Sequence, residues 1–275
     1  MILDYHMHLV DDDEPYTETA FTLGHAERYA DAAAAAGVDE IAFTDHAHRF
    51  RQARGWSDHP LWLGGATEDL DRYHEAAGAA RDAGLPVKVG IEVDHRAGGE
   101  HEIAAVLDAY EWDVVLGSVH WVAGHAVDWD ADSVWEHLPA DDVWERYTDT
   151  LCQAAATGLY DVMAHPDLAK VFGHRPGPER DRLYDRIAAA FAAAGVSAEV
   201  STAGYRRALG ELYPDPALLA RFRENGVPVT LASDAHAPEG IGRDFARALD
   251  EVRRAGYTTL TRFDRRRPTQ VAIDG

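Results

Sequence analysis

Histidines and acids recur in this sequence at places of one kind. The first is Asp4-Tyr5-His6-Met7-His8, where two histidines stand two residues apart. On an extended strand that spacing points both imidazoles to one face, where they can share a metal ion. Thr44-Asp45-His46, Gly90-Ile91-Glu92-Val93-Asp94, Gly117-Ser118-Val119-His120, Ala164-His165-Pro166-Asp167 and Ser233-Asp234-Ala235-His236 follow, each closing a short apolar run. A single His-x-His or Asp-x-His pair is weak evidence, because surface residues produce such pairs commonly. The repetition is what carries weight. His6, His8, His46, Glu92, His120, His165, Asp234 and His236 make a set of eight candidate ligands. One tetrahedral ion with an open position needs fewer, so two or three divalent ions are expected. Imidazole and carboxylate without thiolate suit zinc, manganese or iron. A carboxylate such as Glu92 can bridge two ions, which a neutral imidazole cannot. Metal-assisted hydrolysis of a phosphate ester is the leading reaction class, because such a centre activates water and neutralises a transferring phosphoryl group.

These residues need a scaffold that delivers them together. Apolar runs at Ile2–His6, Glu40–Thr44, Val87–Val93, Asp113–Val119, Asp161–Ala164, Ser197–Ser201 and Val227–Ala232 read as parallel strands covered on both faces. Alanine-rich amphipathic runs lie between them at Ala26–Ala36, Glu68–Ala83, Glu100–Ala109, Asp142–Ala156, Glu179–Ala194, Ala217–Glu224 and Arg243–Ala255. Thr258–Phe263 is a candidate extra strand. Seven β-then-α units without a composition break predict an α/β fold, a distorted (β/α)7 TIM-like barrel formed by residues 1–275 as one domain. A doubly wound open sheet is the alternative, but no glycine-rich phosphate loop follows the first strand. Six of the seven strands then deliver a ligand at their C-terminal ends, the face on which such barrels build active sites.

Composition narrows the partners. The 275 residues carry 26 Lys+Arg and 48 Asp+Glu, a net charge of −22 with histidine neutral. So acidic a surface repels nucleic-acid backbones and anionic lipid, and neither is an expected partner. Bound dications would make the pocket locally positive, so a small phosphorylated metabolite remains compatible. The lone cysteine, Cys152, excludes an internal disulfide and a Cys-type zinc site. With neither a secretory signal nor a long apolar span legible, the chain is expected to be cytoplasmic. Its oligomeric state is not legible.

His6-Met-His8, Thr44-Asp-His46, Glu92, His120, His165-Pro-Asp and Asp234-Ala-His236 resemble the motif series of the PHP (polymerase and histidinol phosphatase) superfamily. Asp4-Tyr-His-Met-His8, Gly117-Ser-Val-His120, Ser201-Thr-Ala-Gly204 and Leu231-Ala-Ser-Asp-Ala-His236 are most similar to its histidinol-phosphate phosphatase branch. The resemblance implies a trinuclear site. His6, His8, Glu92 and Asp234 would hold one ion; Glu92, His120 and His165 a second; His46, His236 and one residue of the loop after His8 a third. That loop reads Asp11-Asp12-Asp13-Glu14, and Asp13 is the expected ligand, with Asp11, Asp12, Glu14 and His25 as alternatives.

The expected reaction is hydrolysis of L-histidinol phosphate to L-histidinol and phosphate, in histidine biosynthesis, by a hydroxide bridging the ions. The alternatives are another small phosphate ester or a nucleotide, and, from a different class, a non-catalytic metal-stabilised module. Lys170, Arg175, Arg206 and Arg207 follow the fifth and sixth strands and are candidate phosphate-binding cations. His236 or Asp45 is the candidate that protonates the leaving group. Phe50, Trp56, Trp62 and Tyr205 are candidate pocket walls.

Overall fold

The computed structural model describes residues 1–10 and 21–273. In chain order the strands are β1 (Leu3–Asp4), β2 (Glu40–Phe43), β3 (Val87–Asp94), β4 (Val114–Ser118), a small antiparallel ribbon of β5 (Trp121–Val122) and β6 (His125–Ala126), β7 (Val162–Met163), β8 (Ser197–Ser201), β9 (Val229–Ala232), β10 (Thr259–Asp264) and β11 (Arg267–Ala272). Seven of them form one parallel sheet in the order β1-β2-β3-β4-β7-β8-β9. Backbone bonds join its two ends. Tyr5 N–H donates to the Leu231 carbonyl at 3.0 Å, Asp234 N–H to His6 at 2.9 Å and His8 N–H to Ala235 at 2.8 Å. The sheet is therefore a nearly closed barrel. Every residue of these seven strands is buried, which explains why their sequences show apolar runs rather than alternation.

The outer layer consists of α1 (Leu23–Ala35), α2 (Pro60–Gly65), α3 (Leu70–Asp82), α4 (Glu100–Leu107), α5 (Ala140–Ala156), α6 (Arg180–Ala194), α7 (Pro216–Glu224) and α8 (Phe245–Arg254). Local signals set their ends. Asp215 caps α7 by accepting from Ala217 N–H at 2.6 Å, with Pro216 at the first helical position, and Gly195 ends α6 in the left-handed region at φ +72°. The seven sequence-derived helices each appear, and the short α2 is additional. No helix among the described residues is long and apolar enough to cross a membrane.

A hairpin of β10 and β11 covers the N-terminal end of the barrel. Phe263 is buried, its ring 6.2 Å from that of Tyr5. Polar groups at the strand starts each find a partner on this hairpin. Arg262 clasps Glu40 at 2.6 and 3.0 Å, Lys88 meets Asp264 at 2.7 Å, and Arg266 meets Asp161 at 3.0 Å. Arg265 N–H donates to Asp113 at 3.1 Å. The sequence predicts only the first strand of this pair, because the turn lacks a glycine signal. Arg265 and Arg266 adopt φ +48° and +61° themselves, held by the bonds to Asp113 and Asp161. Of the basic run Arg265–Arg267, the Arg266 guanidinium is the one paired with a carboxylate, that of Asp161.

Candidate metal centre

Glu92, fully buried on β3, is the hub of the opposite end. Its Oε2 lies 3.1 Å from His6 Nε2, 2.7 Å from His46 Nδ1 and 3.8 Å from His8 Nε2. Its Oε1 lies 3.1 Å from His165 Nε2 and 3.6 Å from His120 Nε2. Asp234 Oδ1 stands 3.3 Å from His8 Nε2 and 3.7 Å from His6 Nε2, and the ring of His236 is 4.3 Å from that of His8. Sets with ligand atoms within 4.8 Å of one another include His6/His8/Asp234, His6/Glu92/His165, His46/Glu92/His120 and His8/His46/His236. All eight strand-end residues therefore converge. Asp13, with its alternatives Asp11, Asp12 and Glu14, lies outside the described residues. His25 Nε2 bonds the Leu9 carbonyl at 2.9 Å instead of facing this cluster.

Another set of carboxylates fixes the imidazoles. His6 Nδ1–H donates to Glu199 Oε2 at 2.7 Å, which turns Nε2 toward Glu92 and Asp234 as the nitrogen that would hold an ion once its proton is released. Glu199 Oε1 accepts from His165 N–H at 3.1 Å. Asp94 accepts from His120 Nδ1 through one oxygen and from His48 Nδ1 at 2.9 Å through the other. His6 Nε2, both nitrogens of His8, His165 Nδ1 and Glu92 Oε2 are buried without a hydrogen-bond partner. Orphaned buried acceptors around shared centres are costly unless a cation joins them. The donor set fits divalent ions, and its lack of sulfur fits zinc, manganese or iron.

Electrostatics follow from this crowding. Burial alone would push His6 down, but Glu199, Glu92 and Asp234 outweigh it and hold its pKa well above the usual value. Burial, with His46 and His236 beside it, pushes His8 well below. Burial would raise Glu92, yet the surrounding imidazoles, His46 and His6 foremost, hold it well below the ordinary carboxylate range. His120 is pushed up to about 10 because Asp94 and Asp128 overcome its burial. Two cluster residues also sit in strained backbone: His165 at φ +26° and Asp234 at φ +53°. Such conformations cost on the order of 1–3 kcal/mol each and persist where surrounding bonds over-determine them. Here the N–H groups of His165 and Asp234 are held by Glu199 and the His6 carbonyl.

The expected cations divide. Arg206 and Arg207 line a cavity of about 450 Å³ together with Asp234, His236, Gly240 and Arg243. Arg206 is held there by the Ser233 carbonyl at 2.9 Å and the Thr202 carbonyl at 3.3 Å. Lys170 does not reach this cavity. Its buried ammonium bonds Asp167 at 2.7 Å and the Leu212 carbonyl at 2.6 Å, because buried Asp167 needs a counter-charge. Arg175 pairs with Glu211 and lies 3.7 Å from Asp215, also away from the cavity. Asp45 is fully buried, and both its oxygens accept from Leu9 N–H at 3.1 Å. Burial raises its pKa to about 7, but its carboxylate holds the loop after β1 instead of lining the cavity. Phe50, Trp56 and Trp62 are buried in packing, with Trp62 against His48, and Tyr205 stacks under Arg247.

A PHP domain family model matches residues 19–203, more than half of the chain. The chain belongs to the PHP domain family. A probable histidinol-phosphatase of Deinococcus radiodurans is 36% identical over 248 residues, covering 86% of this chain and 92% of its own. The histidinol-phosphatase of Bacillus subtilis is 26% identical, covering 81% of this chain and 91% of its own. A histidinol phosphate phosphatase from Lactococcus lactis, complexed with zinc, L-histidinol and phosphate, superposes with TM-score 0.80 at 20% identity over 98% of both chains. That likeness shows the PHP barrel fold.

Glu199, Asp94, His48 and Asp128 are the residues that sequence reasoning about this PHP chain passed over. Asp94 was legible as the residue two beyond Glu92, on the same strand face. Glu199 is an acid inside an otherwise apolar buried strand, a position that demands a buried partner. His48 joins Asp94, and buried His95 bonds the Tyr160 hydroxyl at 3.0 Å.

Proposed function

We propose that this chain is a metal-dependent phosphomonoesterase that hydrolyses L-histidinol phosphate to L-histidinol and phosphate. The convergence of eight ligand-type side chains on Glu92 carries the reaction class. The 36% identical relative of this name, matched over nearly its whole length, supports the substrate. His6, His8, Glu92 and Asp234 would hold one ion, Glu92, His120 and His165 another, and His46 with His236 contribute to a third. Bound there, divalent ions supply Lewis acidity and a water of lowered pKa. The chain's own residues do the rest. Glu199 and Asp94 fix the tautomers of His6 and His120, so that each presents Nε2 to the centre. Arg206 and Arg207 bind phosphate oxygens from the cavity wall through charge-assisted hydrogen bonds. Of the two candidates for proton delivery, His236 lies on that wall and Asp45 does not. No Ser or Cys nucleophile is required.

Phosphate release from L-histidinol phosphate tests this reading. Metal-loaded protein is expected to turn it over, and Glu92→Ala or His165→Ala to abolish turnover. Full turnover by either variant in chelator would overturn the mechanism.

A further inference from the structure

The closed end of the barrel carries a second cavity, of about 330 Å³, lined by Arg81, Asp82, Asp113, Asp264, Arg265 and Arg267. Arg81 and Asp82 end α3, Asp113 precedes β4, and Asp264, Arg265 and Arg267 belong to the β10–β11 hairpin. Two of its carboxylates are committed. Buried Asp113 accepts from Val89 N–H at 3.0 Å and from Arg265 N–H at 3.1 Å, and Asp264 takes the Lys88 ammonium at 2.7 Å. Asp82, 77% exposed, stands at the rim. The cations are less engaged. Arg81 reaches Asp82 and Asp113 only at 3.5 Å. Asp264 feels the charge of Arg265, but the guanidiniums of Arg265 and Arg267 make no hydrogen bond or ion pair among the described residues. With Lys88, four cations meet three carboxylates here, in a chain of net charge −22.

The turn that presents these arginines is a costly one. Arg265 and Arg266 are its two central residues, at φ +48° and +61°. Asn-Gly enters such a turn easily, whereas two arginines are strained in it. Arg266 reaches Asp161 from there, but the Arg265 side chain has no such partner. We propose that this cavity is an anion site in which Arg265 and Arg267, with Arg81, bind a phosphate group, either inorganic phosphate or the phosphoryl end of a monoester. A guanidinium fork matches two phosphate oxygens and sheds water more readily than an ammonium does. The site lies at the strand starts, at the opposite end of the barrel from Glu92, and does not depend on the reaction assigned to the centre.

The test titrates metal-loaded protein with inorganic phosphate by calorimetry, at an ionic strength held constant with chloride. Wild type is expected to keep one class of bound phosphate when the metals are stripped. Arg267→Gln, at an exposed strand position, and Arg265→Asn, which tolerates a positive φ, are each expected to weaken that class roughly ten-fold or more. Metal content should stay as in wild type. Asp82→Asn is expected to tighten the same class by removing negative charge at the rim. Methylphosphonate separates the two sources: binding as tight as that of phosphate assigns the site to a monoester, and weaker binding assigns it to the free ion. Wild type whose phosphate binding is wholly lost with the metals, or is weakened by neither arginine substitution, would overturn the inference.

Discussion

Glu199 never faces the open cavity, yet the geometry makes the metal centre depend on it. One oxygen accepts from His6 Nδ1–H and the other from His165 N–H, and its side chain is 1% exposed. Glu199→Gln keeps the shape and replaces one acceptor by an NH₂ donor. If the amide nitrogen faces His6, the imidazole must flip tautomer and place a proton on Nε2, where an ion needs a lone pair. If it faces His165, two buried N–H donors oppose each other at a residue already held at φ +26°. Either arrangement costs about 1–3 kcal/mol for the unsatisfied buried group. Metal affinity is expected to fall 10–100-fold, the usual effect of removing such a support and about 1.4–2.8 kcal/mol. Chelator competition on the purified variant reads the affinity, and denaturant unfolding of the metal-free form reads the stability. An unchanged metal affinity together with unchanged stability would refute the assigned role of the Glu199 carboxylate.

Three further outcomes follow from the same geometry. His120, with its folded pKa pushed up to about 10, and the raised His6 hold protons at neutral pH in metal-free protein. Zinc binding at pH 7.5 should therefore release protons, measurable by pH-stat, and apparent affinity should rise with pH toward about 10. In the metal-free form the His120 contribution to stability is full below its unfolded pKa near 6.5 and is lost as pH rises toward 10. Glu40→Gln, at the closed end of the barrel, should cost about 1–3 kcal/mol in urea unfolding by weakening the Arg262 and Tyr5 contacts, with metal stoichiometry unchanged. Arg206→Ala should lower kcat/KM for a phosphate ester by about 10–100-fold in steady-state assays, with Arg206→Lys recovering only part, because an ammonium cannot clasp two oxygens in parallel.

The strand-end ligands were legible because a parallel barrel sends the ends of all its strands to one face, so residue type and position together imply convergence. The same rule misleads where it ignores direction. Asp45 and His46 both lie beyond the end of β2, and there His46 faces Glu92 while the buried Asp45 carboxylate is taken up by Leu9 N–H. Lys170 follows the fifth barrel strand as a candidate phosphate-binding cation, but its i,i+3 spacing from buried Asp167 offers the closer partner. The pairing of Arg266 with Asp161 spans 105 residues and leaves no local trace, so the closing hairpin was only half visible. Glu199 shows the remaining kind of gap. A sequence displays a buried acid but not the histidine nitrogen that it holds.

The account stands or falls on metal content and turnover measured together on one preparation. Protein reconstituted with zinc, manganese or iron is expected to hold two or three ions per chain and release phosphate from L-histidinol phosphate. Stripping the ions, or changing Glu92→Ala, should abolish both. Full turnover with fewer than two ions per chain, or in Glu92→Ala, would contradict it.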